Sequence, residues 1–188
     1  MSKPIINARE KLLITGKKIL LRDGYFNLYI SRLTRECQMA TGTFYSYFPS
    51  KADLVMEIIK PDWDNLLDTI DIKIEKVSTF DQKLRCIYQE FQGFYNIYGN
   101  IWIQFGSEQG NHDMYKITAA TRIQQLADRI EQIIKEISAA HPEIVLPEKT
   151  SLLAILIVQN LLLIARIPAF SYDRFINAWQ KWMLLTKV

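Results

Sequence analysis

At 188 residues, with nearly half of them hydrophobic and about a quarter charged, the chain has the composition of a soluble globular fold with a substantial core. The two cysteines, Cys37 and Cys86, suit neither a metal site nor a disulfide framework and are expected as thiols in a reducing cytoplasm. No cleavable signal is expected, because Lys3, Arg9 and Lys11 interrupt any apolar run. The net charge of +3 is unevenly spread: residues 1–51 hold five Lys and four Arg against one Asp and two Glu, a net +6, so the other 137 residues sum to −3. Such a head suits a protein that touches a polyanion with one end, although charge alone leaves open a solvated face with no partner.

Glycine and proline are scarce and apolar residues recur at three- and four-residue spacing almost throughout, which predicts an all-α fold of about nine helices. The first helix runs from about Ala8 to Arg22, with Leu12, Leu13, Gly16, Ile19 and Leu20 inward and Gly24 as its stop. Gly16 inside a helix implies a neighbouring helix at close range. A second helix covers Ile30 to Cys37 and a third, very short one covers Thr41 to Tyr47. Ser50 and Asp53 then form a capping-box-like start for a fourth, whose apolar face is Leu54, Val55, Ile58 and Ile59. Trp63, Leu66, Leu67, Ile70 and Ile74 resume that face beyond Pro61, so a kink or break is expected near Ile58–Pro61.

Ser78-Thr79 with Gln82 caps a fifth helix with the stripe Leu84, Ile87, Tyr88, Phe91, Phe94, Tyr95 and Tyr98, and Gly99 is expected to end it. A short aromatic helix from Ile101 to Phe105 follows. The next spans about Asp113 to Ala139, with Met114, Ile117, Leu126, Ile130, Ile133 and Ile137 inward. Pro142 closes that region, and Pro147 suits the first turn of a helix reaching Ile167. After Pro168, Ser171 can cap a last helix carrying Phe175, Ile176, Trp179, Trp182 and Met183. The apolar run from Leu152 to Ala165 contains Gln159 and Asn160 and falls short of the roughly twenty residues a membrane span needs, so it reads as a core or interface helix. The domain seam is expected near Lys51–Pro61.

The string TGTFYSYFPSK, from Thr41 to Lys51, carries the functional signal. A helix that short buries little and exists mainly to present side chains. With the helix before it, it forms a helix-turn-helix, whose second helix lies in the major groove with its N-terminal residues at base edges. The exposed candidates are Thr41, Thr43, Tyr45, Ser46 and Tyr47, with Gly42 letting the backbone approach phosphate. Threonine hydroxyls pair with several bases, and tyrosines reach phosphate oxygens. Lys51 adds a cation at a helix start, where backbone amides already favour phosphate. Phe44 and Phe48 point the other way by spacing and should be core.

A first helix ending in Gly24-Tyr25, followed by Gly42-Thr43-Phe44-Tyr45, Tyr47-Phe48 and Lys51, resembles the TetR family of transcriptional regulators over residues 8–58. The resemblance implies a helix-turn-helix DNA-binding domain, set at residues 1–51, and a helical effector-binding and dimerisation domain at 52–188. It implies that Thr41 and Thr43 face the operator, that Tyr45, Tyr47 and Lys51 grip its backbone, and that Ser46 also faces DNA. Two departures stand out. Gln38 occupies the turn position where the family has glycine, and must either accept a left-handed backbone or reshape the turn. Leu28-Tyr29 stands where the family has a Thr or Ser cap, so Asn27 or Ser31 is expected to cap instead.

In the body, the stretch Leu152–Ile164 is apolar nearly all round, so a second copy of the chain is the simplest partner for its second side. Leu152, Leu156, Gln159, Leu162, Trp179 and Trp182 are the expected contacts of a homodimer, with a thicker monomer core as the alternative. The aromatic load of Tyr88, Phe91, Phe94, Tyr95, Tyr98, Trp102 and Phe105 is read by spacing as core. The resemblance implies instead an effector pocket among these helices. On that reading the lining comprises Trp63, Tyr88, Phe91, Tyr95, Trp102, Gln104, Phe105 and Tyr115, and the ligand is a small apolar or amphipathic molecule.

Catalysis finds no support. His112 and His141 lack a carboxylate or cysteine at ligand or triad spacing, there is no phosphate-binding glycine loop, and no cofactor or metal is expected. Two functions remain: a ligand-responsive, homodimeric, cytoplasmic repressor of palindromic DNA, or a helical small-molecule-binding or scaffolding protein that no longer binds an operator. Tyr45, Tyr47 and Lys51 on a basic head favour the first.

Overall fold

The computed structural model describes residues 7–140, 149–167 and 171–185, with side chains in the last stretch described to residue 178. Among them are eight α-helices, one 3-10 turn and no strand. They are α1 (Ala8–Asp23), α2 (Ile30–Glu36), α3 (Thr41–Tyr45), α4 (Lys51–Ile74), α5 (Phe80–Ser107), the 3-10 turn (Gln109–Asn111), α6 (His112–Ala140), α7 (Thr150–Arg166) and α8 (Tyr172–Leu185). Pro142, Pro147, Pro168 and His141 lie outside the described residues. No described helix is long and apolar enough to cross a membrane, and no metal-holding group of His, Cys, Asp and Glu occurs among the described residues.

The chain divides into two compact units: residues 1–65 with 96–116, and residues 66–95 with 117–188. The first unit is built on the helix-turn-helix. Leu12, Ile19, Leu20, Tyr25, Leu28, Leu33, Phe44, Phe48, Leu54 and Val55 fill its core. Gly16 allows α1 and α4 to meet closely, since a β-carbon there would lie 3.1 Å from Ile58 Cδ1 and 3.3 Å from Leu54 Cδ2. Ser50 caps α4 as expected: its hydroxyl accepts from the Asp53 N–H at 3.2 Å and donates to the Asp53 carboxylate at 2.7 Å. Lys17 donates to both oxygens of Asp62, at 2.7 and 2.8 Å, and Tyr98 donates to the same carboxylate. One acidic residue of α4 therefore ties α1 and α5 together.

The second unit packs Leu67, Ile70, Leu84, Ile87, Phe91, Ile130, Ile133, Ile157, Val158, Leu161 and Ile176. Arg129 of α6 pairs bidentately with Asp71 of α4, both contacts at 2.7 Å. Thr79 and Gln82 form a reciprocal capping box at the start of α5, with both bonds at 3.3 Å. The Ser171 hydroxyl accepts from the Arg174 N–H at 3.3 Å, capping α8.

Three expectations are corrected. Gly99 does not end a helix. It is buried and helical, and α5 runs unbroken from Phe80 to Ser107, which merges two expected elements and leaves eight α-helices among the described residues where the sequence predicts about nine. Packing of Tyr98, Ile101 and Phe105 on the same helix outweighs the roughly 1 kcal/mol that a mid-helix glycine costs. Of the kink or break expected near Pro61, the break is absent: α4 is helical on both sides of it. Ile117, expected inward, is 67 % exposed.

Candidate nucleic-acid interface

The turn before α3 forms without glycine. Gln38 takes φ 57°, its N–H bonds the Arg35 carbonyl at 3.0 Å, and the Met39 N–H bonds the Thr34 carbonyl at 2.8 Å. These are the two bonds of a Schellman motif, with glutamine in the left-handed position that glycine usually fills. Thr34 is buried; its hydroxyl donates to the Ile30 carbonyl at 3.0 Å and lies 3.4 Å from that of Thr41, joining α2 to the first residue of α3. Neither Asn27 nor Ser31 caps α2. Tyr29 stands at the cap without a side-chain bond, and the Asn27 amide donates back to the Asp23 carbonyl at 2.8 Å.

The five residues of α3 are divided by burial. Phe44 and, just beyond, Phe48 are fully buried and lie 5.7 Å apart between ring centres. Thr41, Gly42, Ser46, Tyr45 and Tyr47 are exposed, and Thr43 is half-buried. Tyr45 is 56 % exposed although its ring meets Phe44 edge-on at 5.2 Å. The exposed groups of this segment are therefore hydroxyls, two tyrosine rings and, at Gly42, a bare backbone position.

Lys51 is the exception. Its ammonium lies 3.9 Å from the centre of the Tyr25 ring and 3.3 Å from Glu108 Oε1, with only 20 % of its side chain exposed. Glu108 also accepts from the Tyr25 hydroxyl and, at 2.9 Å, from the Asn111 amide. Burial pushes the Glu108 carboxyl up, but the hydrogen bond from Tyr25, the Lys51 charge and the Asn111 bond outweigh it and hold the group below its ordinary value. Burial first, then the bond to Glu108, push the Tyr25 phenol up, so it stays a donor. Sequence reasoning does not find Tyr25, Glu108 and Asn111 as site residues. Gly24-Tyr25 is visible as a motif, but partners more than eighty positions away carry no local signal.

Much of the basic head is paired in the same way. Arg9 bonds Glu57 and lies over Phe48, Lys17 bonds Asp62, and Arg32 bonds Asp23 and Glu36. Lys11, Lys18 and Arg35 are exposed.

The residues expected to line a pocket fall in both compact units. Trp63, Trp102, Gln104, Phe105 and Tyr115 belong to the first, and Tyr88, Phe91 and Tyr95 to the second. Trp63, Tyr88, Phe91 and Phe105 are buried. Trp102 stacks on Phe105 at 5.3 Å and meets Tyr115 at 5.1 Å. Gln104 holds backbone in place. Its amide oxygen accepts from the N–H groups of Tyr25 at 2.8 Å and Phe26 at 3.2 Å, where the chain leaves α1. Of the expected dimer contacts, Leu152, Leu156 and Gln159 are exposed on α7, whereas Leu162 is buried within its own unit. The side chains of Trp179 and Trp182 lie outside the described residues. An open groove of about 290 Å³ runs along Gln159, Asn160, Leu162, Leu163 and Arg166.

Residues 12–58 match the family described as bacterial regulatory proteins, tetR family. The chain is 33 % identical over 63 residues to the HTH-type transcriptional regulator YuxN of Bacillus subtilis, covering 33 % of this chain and 22 % of that protein. It is 21 % identical over 121 residues to the fatty acid metabolism regulator protein of the same organism, covering 63 % of this chain and 56 % of the relative. The chain thus spans about half or less of the length of these relatives. In three dimensions it resembles the transcriptional regulator FadR of Bacillus subtilis, solved with stearoyl-CoA, with a TM-score of 0.61, 17 % identity, and coverage of 81 % of this chain and 82 % of that one.

Proposed function

We propose that the chain, whose residues 12–58 match the tetR family of bacterial regulatory proteins, is a transcriptional regulator of that kind: a homodimeric repressor that binds palindromic duplex DNA and is released by a small apolar or amphipathic effector. Residues 1–51 form the DNA-binding domain and residues 52–188 the effector-binding and dimerisation domain. One observation carries the reading. Residues 41–48, which begin with the short helix α3, are anchored from beneath by the fully buried Phe44 and Phe48 and leave Thr41, Tyr45, Ser46 and Tyr47 exposed and Thr43 half-buried. Anchoring from one side and display from the other suit a helix that enters a groove.

In this reading Thr41 and Thr43 meet base edges, Gly42, Tyr45, Ser46 and Tyr47 meet the backbone or adjacent bases, and Lys51 meets a phosphate. The exposed Leu152, Leu156 and Gln159 of α7, with Trp179 and Trp182, pair two copies and so fix the spacing of the two heads. Stearoyl-CoA, bound in the Bacillus subtilis FadR structure, is an amphipathic ligand of the proposed class, so long-chain acyl-CoA is the first effector to try.

The test is fluorescence anisotropy on duplexes selected from random sequence by the parent protein. Lys51→Ala should weaken binding to all duplexes alike and flatten the salt dependence, because one fewer phosphate contact releases fewer counterions. Thr43→Ala should relax discrimination at particular base pairs by about 1–3 kcal/mol. If the parent selects no duplex, the scaffolding alternative stands in place of the repressor.

A further inference from the structure

We propose that Glu108 is a positioning residue of the DNA interface: its carboxylate occupies Lys51 as a phosphate would, and thereby sets how readily that lysine engages the operator backbone. The inference rests on the DNA-binding reading above and adds an internal competitor to it. Glu108 lies between α5 and α6, far in sequence from the helix-turn-helix, yet one of its oxygens is 3.3 Å from the Lys51 ammonium.

The carboxylate is the fixed member of the pair. Its other oxygen accepts from the Tyr25 hydroxyl and, at 2.9 Å, from the Asn111 amide. Tyr25 is fully buried and Asn111 nearly so, and the Asn111 amide also donates to the Tyr25 oxygen at 2.6 Å and to the Phe105 carbonyl at 3.2 Å. Lys51 is the movable member, a point charge on a flexible four-carbon stem with three donors. In the structure one side of that charge is taken by the carboxylate and another by the Tyr25 ring face. A phosphate approaching Lys51 therefore meets a neutralised cation and, just behind it, a like charge. The cost falls on every duplex alike, since it concerns the backbone and not the bases.

The experiment measures affinity for a duplex selected by the parent, as a function of salt, for Glu108→Gln, Glu108→Ala, Glu108→Asp and Lys51→Ala, with Glu108→Gln repeated in the Lys51→Ala background. Removing the charge should tighten binding to all duplexes by roughly fivefold and steepen the plot of log affinity against log salt by up to about one unit per head, as the phosphate contact that Lys51 makes only in part in the parent becomes complete. Glu108→Asp should restore the parent slope, and in the Lys51→Ala background Glu108→Gln should leave the slope unchanged. A residue that merely supports the fold would lower affinity and thermal stability without steepening the slope. Unchanged or weaker binding by both neutral variants, with the parent binding its duplex, overturns this proposal and leaves the DNA-binding reading standing. A parent that binds no duplex overturns both.

Discussion

Gln38 holds the bend between α2 and α3 with φ 57°, a conformation that costs a residue with a β-carbon about 1–2 kcal/mol. The strain is met locally, by the two backbone bonds that close the end of α2, and by the Thr34–Thr41 hydroxyl contact that fixes where α3 starts. Gln38→Gly relieves it, although glycine also loosens the unfolded chain by about 0.5–1 kcal/mol. The net expectation is a gain of about 0.5–1 kcal/mol in unfolding free energy with DNA affinity unchanged, read from urea unfolding and from the anisotropy assay. A loss of stability would mean that the glutamine side chain makes a contribution that its exposed position hides. This strain is legible in the sequence, because a turn of this type has one left-handed position whatever residue fills it. The role of Gln104 is not. It accepts two backbone hydrogens near Gly24, itself at φ 82°, and nothing within its own helix marks it as different from a glutamine lining a pocket.

At the scale of elements, most helix caps are readable, the start of α2 excepted, and interruptions are not. Ser50 with Asp53, Thr79 with Gln82, and Ser171 each cap the helix that the pattern assigns to them, because a cap is a bond between residues three apart. Gly99 reads as a stop and Pro61 as a kink or break on propensity, yet each lies inside a helix with buried apolar residues on both sides. A propensity of about 1–3 kcal/mol is smaller than the burial of several large side chains. The penalty at Pro61 is nonetheless present, since α4 carries on without an N–H there to reach the Glu57 carbonyl. Pro61 is exposed, so replacing it disturbs no core contact of its own. Pro61→Ala should therefore raise unfolding free energy by about 1–2 kcal/mol, after allowing for the stiffness proline lends the unfolded chain. Urea midpoints of the two proteins measure this. A lower midpoint would show that a bend imposed by the proline is needed to seat Ile58, Ile59 and Trp63.

For the molecule as a whole, the question that periodicity leaves unanswered is which side of α7 faces outward. The run from Leu152 to Ile164 is apolar nearly all round, and an apolar pattern with no polar face has no phase to read. The structure supplies it. Ala154, Ile157, Val158, Leu161, Leu162 and Ile164 are buried, while Leu152, Leu156, Gln159 and Leu163 are exposed. The exposed four recur at spacings of four, three and four, the seam along which two helices pack. Their exposure, 56 % for Leu152, 57 % for Leu156 and 50 % for Leu163, is that of a stripe open to a partner, whereas Leu162 at 7 % is closed inside its own unit. Two substitutions of the same kind should therefore fail differently. Leu156→Glu places a charge where the single chain leaves room for water, so the monomer should fold normally and association should weaken by several kcal/mol. Leu162→Glu buries an unpaired charge in the unit itself and should lower folding stability by about 3–5 kcal/mol. Sedimentation equilibrium with thermal melts separates the outcomes: a folded monomer for Leu156→Glu, and an unfolded or aggregated chain for Leu162→Glu. A parent that is monomeric at micromolar concentration, or a Leu156→Glu variant as dimeric as the parent, would remove α7 from the assembly. It would also remove the fixed spacing that a palindromic site requires of two heads about one DNA turn apart.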